Sequence, residues 1–301
     1  NTLPFAIQPA SSLANLTPRW VGATAVLYHA AMDFSSDVIT IDKQGHIATV
    51  WLDRPDKLNA LNLPMWDDLP RAMEEVGNDP ETRVVIIAGK GRAFTAGIDI
   101  QALAAVGTGQ EGNSEVAQRQ ALYRLIKRLQ HTMTSIADCP KPVIAAVHGY
   151  CIGAGVDLIT ACDIRLASPD ATFSVRETKL GMVADVGTMQ RLPKVVAPGH
   201  VAELAFTGKD ISAERAKEID LVNDIYEDVH RAAHDLAEEI AANSPLAVQG
   251  AKAVLKAGEN RSIEEALDYM AVWNAAFLQS NDLQEAMMAN LKKRPPEFKG
   301  E

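Results

Sequence analysis

The sequence predicts an α/β fold in which strands and helices alternate up to about residue 224 and helices alone follow. Val84-Val85-Ile86-Ile87 and Val143-Ile144-Ala145-Ala146-Val147 are apolar at every position, as expected of strands covered on both faces. Between them, residues 116–136 have the apolar spacing of an amphipathic helix. Beyond residue 224 the strand signals vanish and only helical periodicities remain.

Taken in order, two β-branched runs, 38–42 and 46–52, flank Gln44-Gly45 in the pattern of an antiparallel hairpin. The polar turn Asp53-Arg54-Pro55-Asp56-Lys57 leads to a helix through Glu75 and then to the strand at 84–88. Pro140 and Pro142 stop the 116–136 helix. Gly149 ends the following strand, and Gly153-Ala154-Gly155 opens the next helix. Short strands at 163–167 and 172–175 give more βα units than a simple three-layer sandwich needs, so successive turns can stack as a spiral. Residues 229–242, 245–256, 263–279 and 283–293 are helical by periodicity, with Ser244-Pro245 as cap and first turn. There is no fixed-period repeat and no low-complexity tract.

The chain has 301 residues, 47% of them apolar and 23% charged, enough to bury one large core and a smaller helical appendage. Its net charge of -10 gives the long-range field the wrong sign for nucleic acid or an anionic membrane. Cys139, Cys151 and Cys162 have neither CxxC spacing nor a neighbouring histidine cluster, so they read as buried thiols rather than a disulfide framework or zinc site. No run approaches the roughly 20 apolar residues that span a bilayer. Residues 1–32 lack Asp and Glu and include Arg19, a faint likeness to an organelle transit sequence. With Met32 directly before Asp33, an extended or wrongly assigned start is the expectation, and residues 1–37 are treated as an N-terminal extension.

Two glycine-containing turns each follow a strand: Ala96-Gly97-Ile98-Asp99 and Cys151-Ile152-Gly153-Ala154-Gly155. Paired N–H groups from such turns suit an oxyanion, and a helix starting at the second adds its positive end. The same glycines also suit close helix–strand packing. Neither GxGxxG nor GxxxxGK[ST] is present, which removes the dinucleotide and P-loop readings. Asp157, Glu177 and Asp185 lie in segments otherwise rich in Ala, Val, Leu and Gly, where a carboxyl can acquire a raised pKa and do acid/base work. The plainer alternative for each is a solvated loop carboxylate.

The run from Cys139 to Asp157, Cys-Pro-Lys-Pro-Val-Ile-Ala-Ala-Val-His-Gly-Tyr-Cys-Ile-Gly-Ala-Gly-Val-Asp, continued by Ala161-Cys162-Asp163-Ile164-Arg165, resembles the signature of the enoyl-CoA hydratase/isomerase, or crotonase, superfamily. Arg54-Pro55-Asp56-Lys57-Leu58-Asn59-Ala60-Leu61-Asn62, Phe94-Thr95-Ala96-Gly97-Ile98-Asp99 and Gln190-Arg191-Leu192-Pro193 are similar to its other hallmarks, in the right order, from about residue 38 to the C terminus. Asp157, Glu177 and Asp185, with the segment 183–194, look like the delta-3,5-delta-2,4-dienoyl-CoA isomerases; ordinary hydratases have glutamate at the positions of Asp157 and Glu177 and usually a small residue at that of Asp185.

The resemblance implies a crotonase-like spiral of stacked β-β-α turns over residues 38–224, carrying acyl-CoA binding and catalysis, and a helical oligomerisation region over 225–301. It implies backbone N–H groups of Ile98 and Ala154 as the oxyanion hole, and Asp157, Glu177 and Asp185 as the catalytic acids. Substrate and coenzyme A contacts would fall on Lys57, Leu58, Ala60, Ala96, Gly97, Ile98, Asp99, Ile100 and Ala154. The implied reaction converts 3,5-dienoyl-CoA to 2,4-dienoyl-CoA in fatty-acid β-oxidation by moving a proton from C2 to C6, with Glu177 near C2, Asp185 near C6 and Asp157 tuning its neighbours. Coenzyme A is then part of the substrate, and no metal or redox cofactor is expected. The expected partner is a second copy of the chain, in a homotrimer or dimer of trimers, with no nucleic acid and no membrane. The compartment would be the cytoplasm in a bacterium, or the mitochondrion or peroxisome in a eukaryote. An enoyl-CoA hydratase with Asp185 a bystander, and a non-catalytic acyl-CoA binder, remain as alternatives.

Overall fold

Residues 47–52 are almost wholly apolar, and their main chain is paired on both edges. In the computed structural model, which describes residues 34–99, 101 and 114–301, β1 (Ile39–Gln44) and β2 (Ile47–Leu52) form the expected antiparallel hairpin. Pairing continues to Gln44 opposite Ile47, so the turn falls on Gly45-His46, one residue later than the sequence suggests. The N-terminal extension up to residue 33, with Arg19 and Met32, lies outside the described residues.

Helix α1 (Leu63–Asn78) starts where the Asn62 side chain accepts the Met65 N–H, and it buries Met65, Trp66, Leu69, Ala72, Met73 and Val76 at helical spacing. It ends three residues beyond Glu75. Strand β3 (Val84–Gly89) is buried at every position. Helix α2 (Glu115–Asp138), capped by Ser114, packs on α1 through Leu129, Thr132, Met133 and Ile136. Next come β4 (Val143–Val147), β5 (Tyr150–Ile152), the fully buried helix α3 (Ala154–Ala161), β6 (Ile164–Ala167) and β7 (Thr172–Ser174). They are followed by α4 (Thr188–Arg191), α5 (Pro198–Thr207), β8 (Ile211–Ser212), α6 (Ala213–Glu218) and β9 (Asp224–Ile225).

The strands form two sheets, ordered β1-β2-β3-β4-β6-β9 and β5-β7-β8. From β3 onward, each circuit adds one parallel strand to the large sheet. The small sheet grows beside it: Thr95 bridges Cys151 in β5, β5 pairs with β7, and β7 with β8. This is the stacked spiral of β-β-α turns. Strands β5, β8 and β9, two or three residues long, escape sequence reading, whereas the equally short β7 is legible because its Thr172-Phe173-Ser174-Val175 run is rich in β-formers.

Helix α7 (Val229–Ala241) lays Val229, Ala233, Ala237 and Ala241 on the outer face of the large sheet, against Ile47, Val84, Ile86, Ile144 and Leu166. Helices α8 (Pro245–Gly258), α9 (Ile263–Phe277) and α10 (Asn281–Lys292) complete the chain. Ser244 caps α8 by accepting the Ala247 N–H, ahead of Pro245. The small Gly250 of α8 receives the Trp273 ring of α9.

Candidate active site

The Arg54–Asn62 segment cannot continue as helix from its single turn, Pro55–Lys57, because Leu58 and Asn59 both take left-handed backbone angles, φ 49° and 53°. Asn59 is fully buried and holds the bend. Its Nδ2 donates to the carbonyls of Lys90 at 2.9 Å and Ala93 at 2.8 Å, and its Oδ1 accepts the Arg54 N–H at 2.8 Å. Thr95 Oγ1 donates to the Asn59 carbonyl at 2.7 Å. Leu61 then meets the 95–99 segment as a parallel bridge, donating its N–H to Gly97 O at 2.8 Å and accepting the Asp99 N–H at 3.0 Å.

That bridge uses the groups flanking Ile98, so the N–H of Ile98 itself points to the opposite edge. On that edge lies the second glycine turn. A Cβ added at Gly97 would sit 2.5 Å from the Ile152 carbonyl oxygen and 3.7 Å from the Ala154 nitrogen, and φ is +92°, so both contact and conformation require glycine. Ala154 is the first residue of α3 and its N–H has no acceptor one turn back. Among the described residues neither the Ile98 nor the Ala154 N–H has a hydrogen-bond partner.

Asp157, one turn into α3, is 1% exposed. Its Oδ1 accepts the Thr188 N–H at the start of α4, while its Oδ2 has no partner among the described residues. Burial pushes this carboxyl up to about 6. Glu177 opens the single turn Glu177–Leu180, with Oε1 against Gly153 and Oε2 buried without a partner. Burial, reinforced by the charges of Asp157 and Asp185, pushes Glu177 up to about 7. Asp185 is raised in the same direction, again by burial. Its carbonyl accepts from Gln130 Nε2 on α2 at 2.7 Å.

These groups meet at one cavity of about 90 Å³, lined by Ala96, Gly97, Ile98, Ala154, Asp157, Glu177 and Asp185. Its apolar wall comes from Trp66, Ile126, Leu129 and Val186, and Arg176 also reaches it. Four residues named from the sequence do not line this cavity. Lys57 is exposed; the Leu58 carbonyl accepts the Ala96 N–H at 2.9 Å; the Ala60 carbonyl accepts from Arg54; and Asp99 pairs with Arg54 at 3.0 Å. Burial acts to raise Asp99, but the Gln101 N–H and the Arg54 guanidinium hold it below its usual value. Ile100 lies outside the described residues. Trp66, Ile126, Leu129 and Arg176 were not foreseen as lining residues. The first three sit on the apolar faces of two predicted helices, so that signal was present but pointed only to a core.

Residues 42–301 match the family described as enoyl-CoA hydratase/isomerase. The chain is 42% identical to the peroxisomal Delta(3,5)-Delta(2,4)-dienoyl-CoA isomerase of Arabidopsis thaliana, covering 87% of this chain and 96% of that one. It is 44% identical to the mitochondrial protein of the same description from Dictyostelium discoideum, over 84% and 87% of the two chains. Among solved structures, the enoyl-CoA hydratase of Bacillus anthracis superposes with a TM-score of 0.79 at 32% identity, over 88% of this chain and all of that one.

The buried carboxyls carry a consequence for stability. Glu177 titrates near 4.5 when unfolded and near 7 when folded, so the native state binds its proton more tightly. That stabilisation is fully present below 4.5 and is lost as the pH rises through 7. Glu177→Gln should therefore raise the free energy of unfolding by about 3 kcal/mol near pH 8 and leave it little changed near pH 4. Urea unfolding at the two pH values checks this, and an equal effect at both would contradict it.

Proposed function

The chain belongs to the enoyl-CoA hydratase/isomerase family, and from that membership we propose that it isomerises 3,5-dienoyl-CoA to 2,4-dienoyl-CoA in fatty-acid metabolism. The observation that carries this reading is the convergence of three buried or half-buried carboxyls, Asp157, Glu177 and Asp185, on the cavity reached by the Ile98 and Ala154 turns. Hydration of an enoyl group has no use for a third acid. A double shift of a diene does, because two acids must serve carbons as far apart as C2 and C6 while the third holds its neighbours in place.

In the proposed sequence the thioester oxygen accepts the N–H groups of Ile98 and Ala154, each such donor contributing about 3 kcal/mol to the enolate-like transition state. Glu177, ionised, removes a proton from C2. The electron pair forms C2=C3, the C3=C4 pair moves to C4=C5, and the C5=C6 pair takes a proton at C6 from Asp185. Glu177 ends protonated and Asp185 ionised, so proton exchange must reset the pair before the next turnover. A carboxyl near 7 suits this exchange at neutral pH. Asp157 supports its neighbours. The reaction rearranges one molecule with no net oxidation, so its balance calls for no redox partner. Lys57, Leu58 and Ala60, behind the cavity beside Ala96, are proposed for the coenzyme A portion together with Gly97, Asp99 and Ile100.

We also propose a homotrimer or dimer of trimers. Helix α9 buries no residue, and Ile263, Leu267 and Val272 on it, with Met287 and Leu291 on α10, are largely exposed. Apolar area of this kind is costly to leave in water. Sedimentation velocity at micromolar protein should give a trimer or hexamer, and a clean monomer would remove the proposal.

Asp185→Asn should lower turnover of 3,5-dienoyl-CoA at least about a hundredfold with KM changed little, since the amide keeps the shape but cannot exchange a proton. Ultraviolet spectra and product masses for both 3,5-dienoyl-CoA and a 2-enoyl-CoA, on variants checked by thermal melt, read the outcome. A folded Asp185→Asn that still isomerises would end the two-carboxyl mechanism. A wild type that only adds water would replace it with a hydratase.

A further inference from the structure

The acid-bearing loop turns at Gly187. Its φ of +143° and its missing Cβ admit the Arg191 guanidinium: a Cβ there would lie 1.9 Å from Arg191 Nη1, and 3.9 Å from Asp157 Oδ1. The cation thus lies against the loop on the side where Asp157 grips the Thr188 N–H. Arg191 Nη2 donates to Thr134 Oγ1 at 3.1 Å, and one turn earlier on α2 Gln130 Nε2 donates to the Asp185 carbonyl at 2.7 Å. Residues 185–191 are therefore clasped to α2 at both ends and to α3 in the middle. Gln130, Thr134, Gly187 and Arg191 all line a large groove of about 1250 Å³, whose lining includes none of Asp157, Glu177 and Asp185.

We propose that Arg191 is a positioning residue: its guanidinium, seated between Gly187 and Thr134, presents a positive charge to the carboxyl of Asp157, and that carboxyl, through Thr188, holds Asp185 in place for C6. The inference rests on the isomerase reading. The groups facing Asp157 are Asp185 and Arg191 from the loop, Glu177 from its single turn and the Cys151 thiol from β5; Arg176, beside Glu177, is engaged by Ser174 and Asp210. Arg191 is the cation that acts on Asp157, whereas the charges acting on Glu177 are those of Asp157 and Asp185.

The test compares wild type, Arg191→Lys and Arg191→Gln by ¹³C NMR titration of aspartate carboxyls, with Asp157→Asn to assign the resonance, and by kcat against pH on 3,5-dienoyl-CoA. Loss of the cation should raise the pH at which Asp157 titrates and lower kcat. KM should stay within about twofold, and Arg191→Lys should stay near wild type in titration and recover part of kcat. An unmoved Asp157 in folded Arg191→Gln overturns the proposal. If that variant does not fold, Thr134→Val, which unseats the guanidinium, is read by the same criterion. A wild type inactive on 3,5-dienoyl-CoA would refute the isomerase reading, while the titration would still decide the role of Arg191.

Discussion

The approach of two backbone turns, Gly97 against the Ile152 carbonyl, is the constraint on which the rest of the site depends. It sets the Ile98 and Ala154 N–H groups beside one another at the start of α3, and it needs both a side-chain-free residue and a rigid support on each side. The support is the spiral. Buried β3 and β4 deliver the two turns, the Thr95–Cys151 bridge ties them, and buried Asn59 holds the first turn from behind. A backbone donor pair placed by sheet pairing needs no reorganisation when charge develops, which is how such donors lower a barrier.

The acids impose the opposite demand. Asp157 Oδ2 and Glu177 Oε2 are buried without partners among the described residues, an arrangement that costs stability and raises their pKa values. A fold selected for stability alone would satisfy or remove them. Their retention beside a donor pair is the pattern expected of a site that trades stability for proton transfer. The loop 185–191 carries Asp185 and is fastened at three points, by Gln130, Asp157 and Thr134.

Much of this was legible in the residues. The continuous apolar runs at 84–87 and 143–147 could only be covered strands, and the strand at 143–147 agrees with the structure to the residue. The helix at 116–136 extends by one and two residues at its ends, within the fraying expected of termini. The glycine turns and the three carboxyls were also readable, because small residues after a strand and acids among apolar neighbours are local signals. What was not readable is non-local. Strands β8 and β9 exist because a neighbouring ladder recruits them, the docking of α7 on the sheet depends on partners far away in sequence, and the seat of Arg191 on Gly187 requires the fold of the loop. Lys57, Leu58 and Ala60 illustrate the converse: family pattern marks them, yet they stand behind the cavity rather than in its wall.

Turnover of 3,5-dienoyl-CoA in deuterium oxide addresses proton transfer between two carbons most directly. Mass spectrometry and NMR of the product should find 2,4-dienoyl-CoA with no water added and with deuterium at C6, because the proton delivered there comes from a carboxyl that has exchanged with solvent. A product carrying the elements of water, or a 2,4-dienoyl-CoA without deuterium at C6, would contradict it.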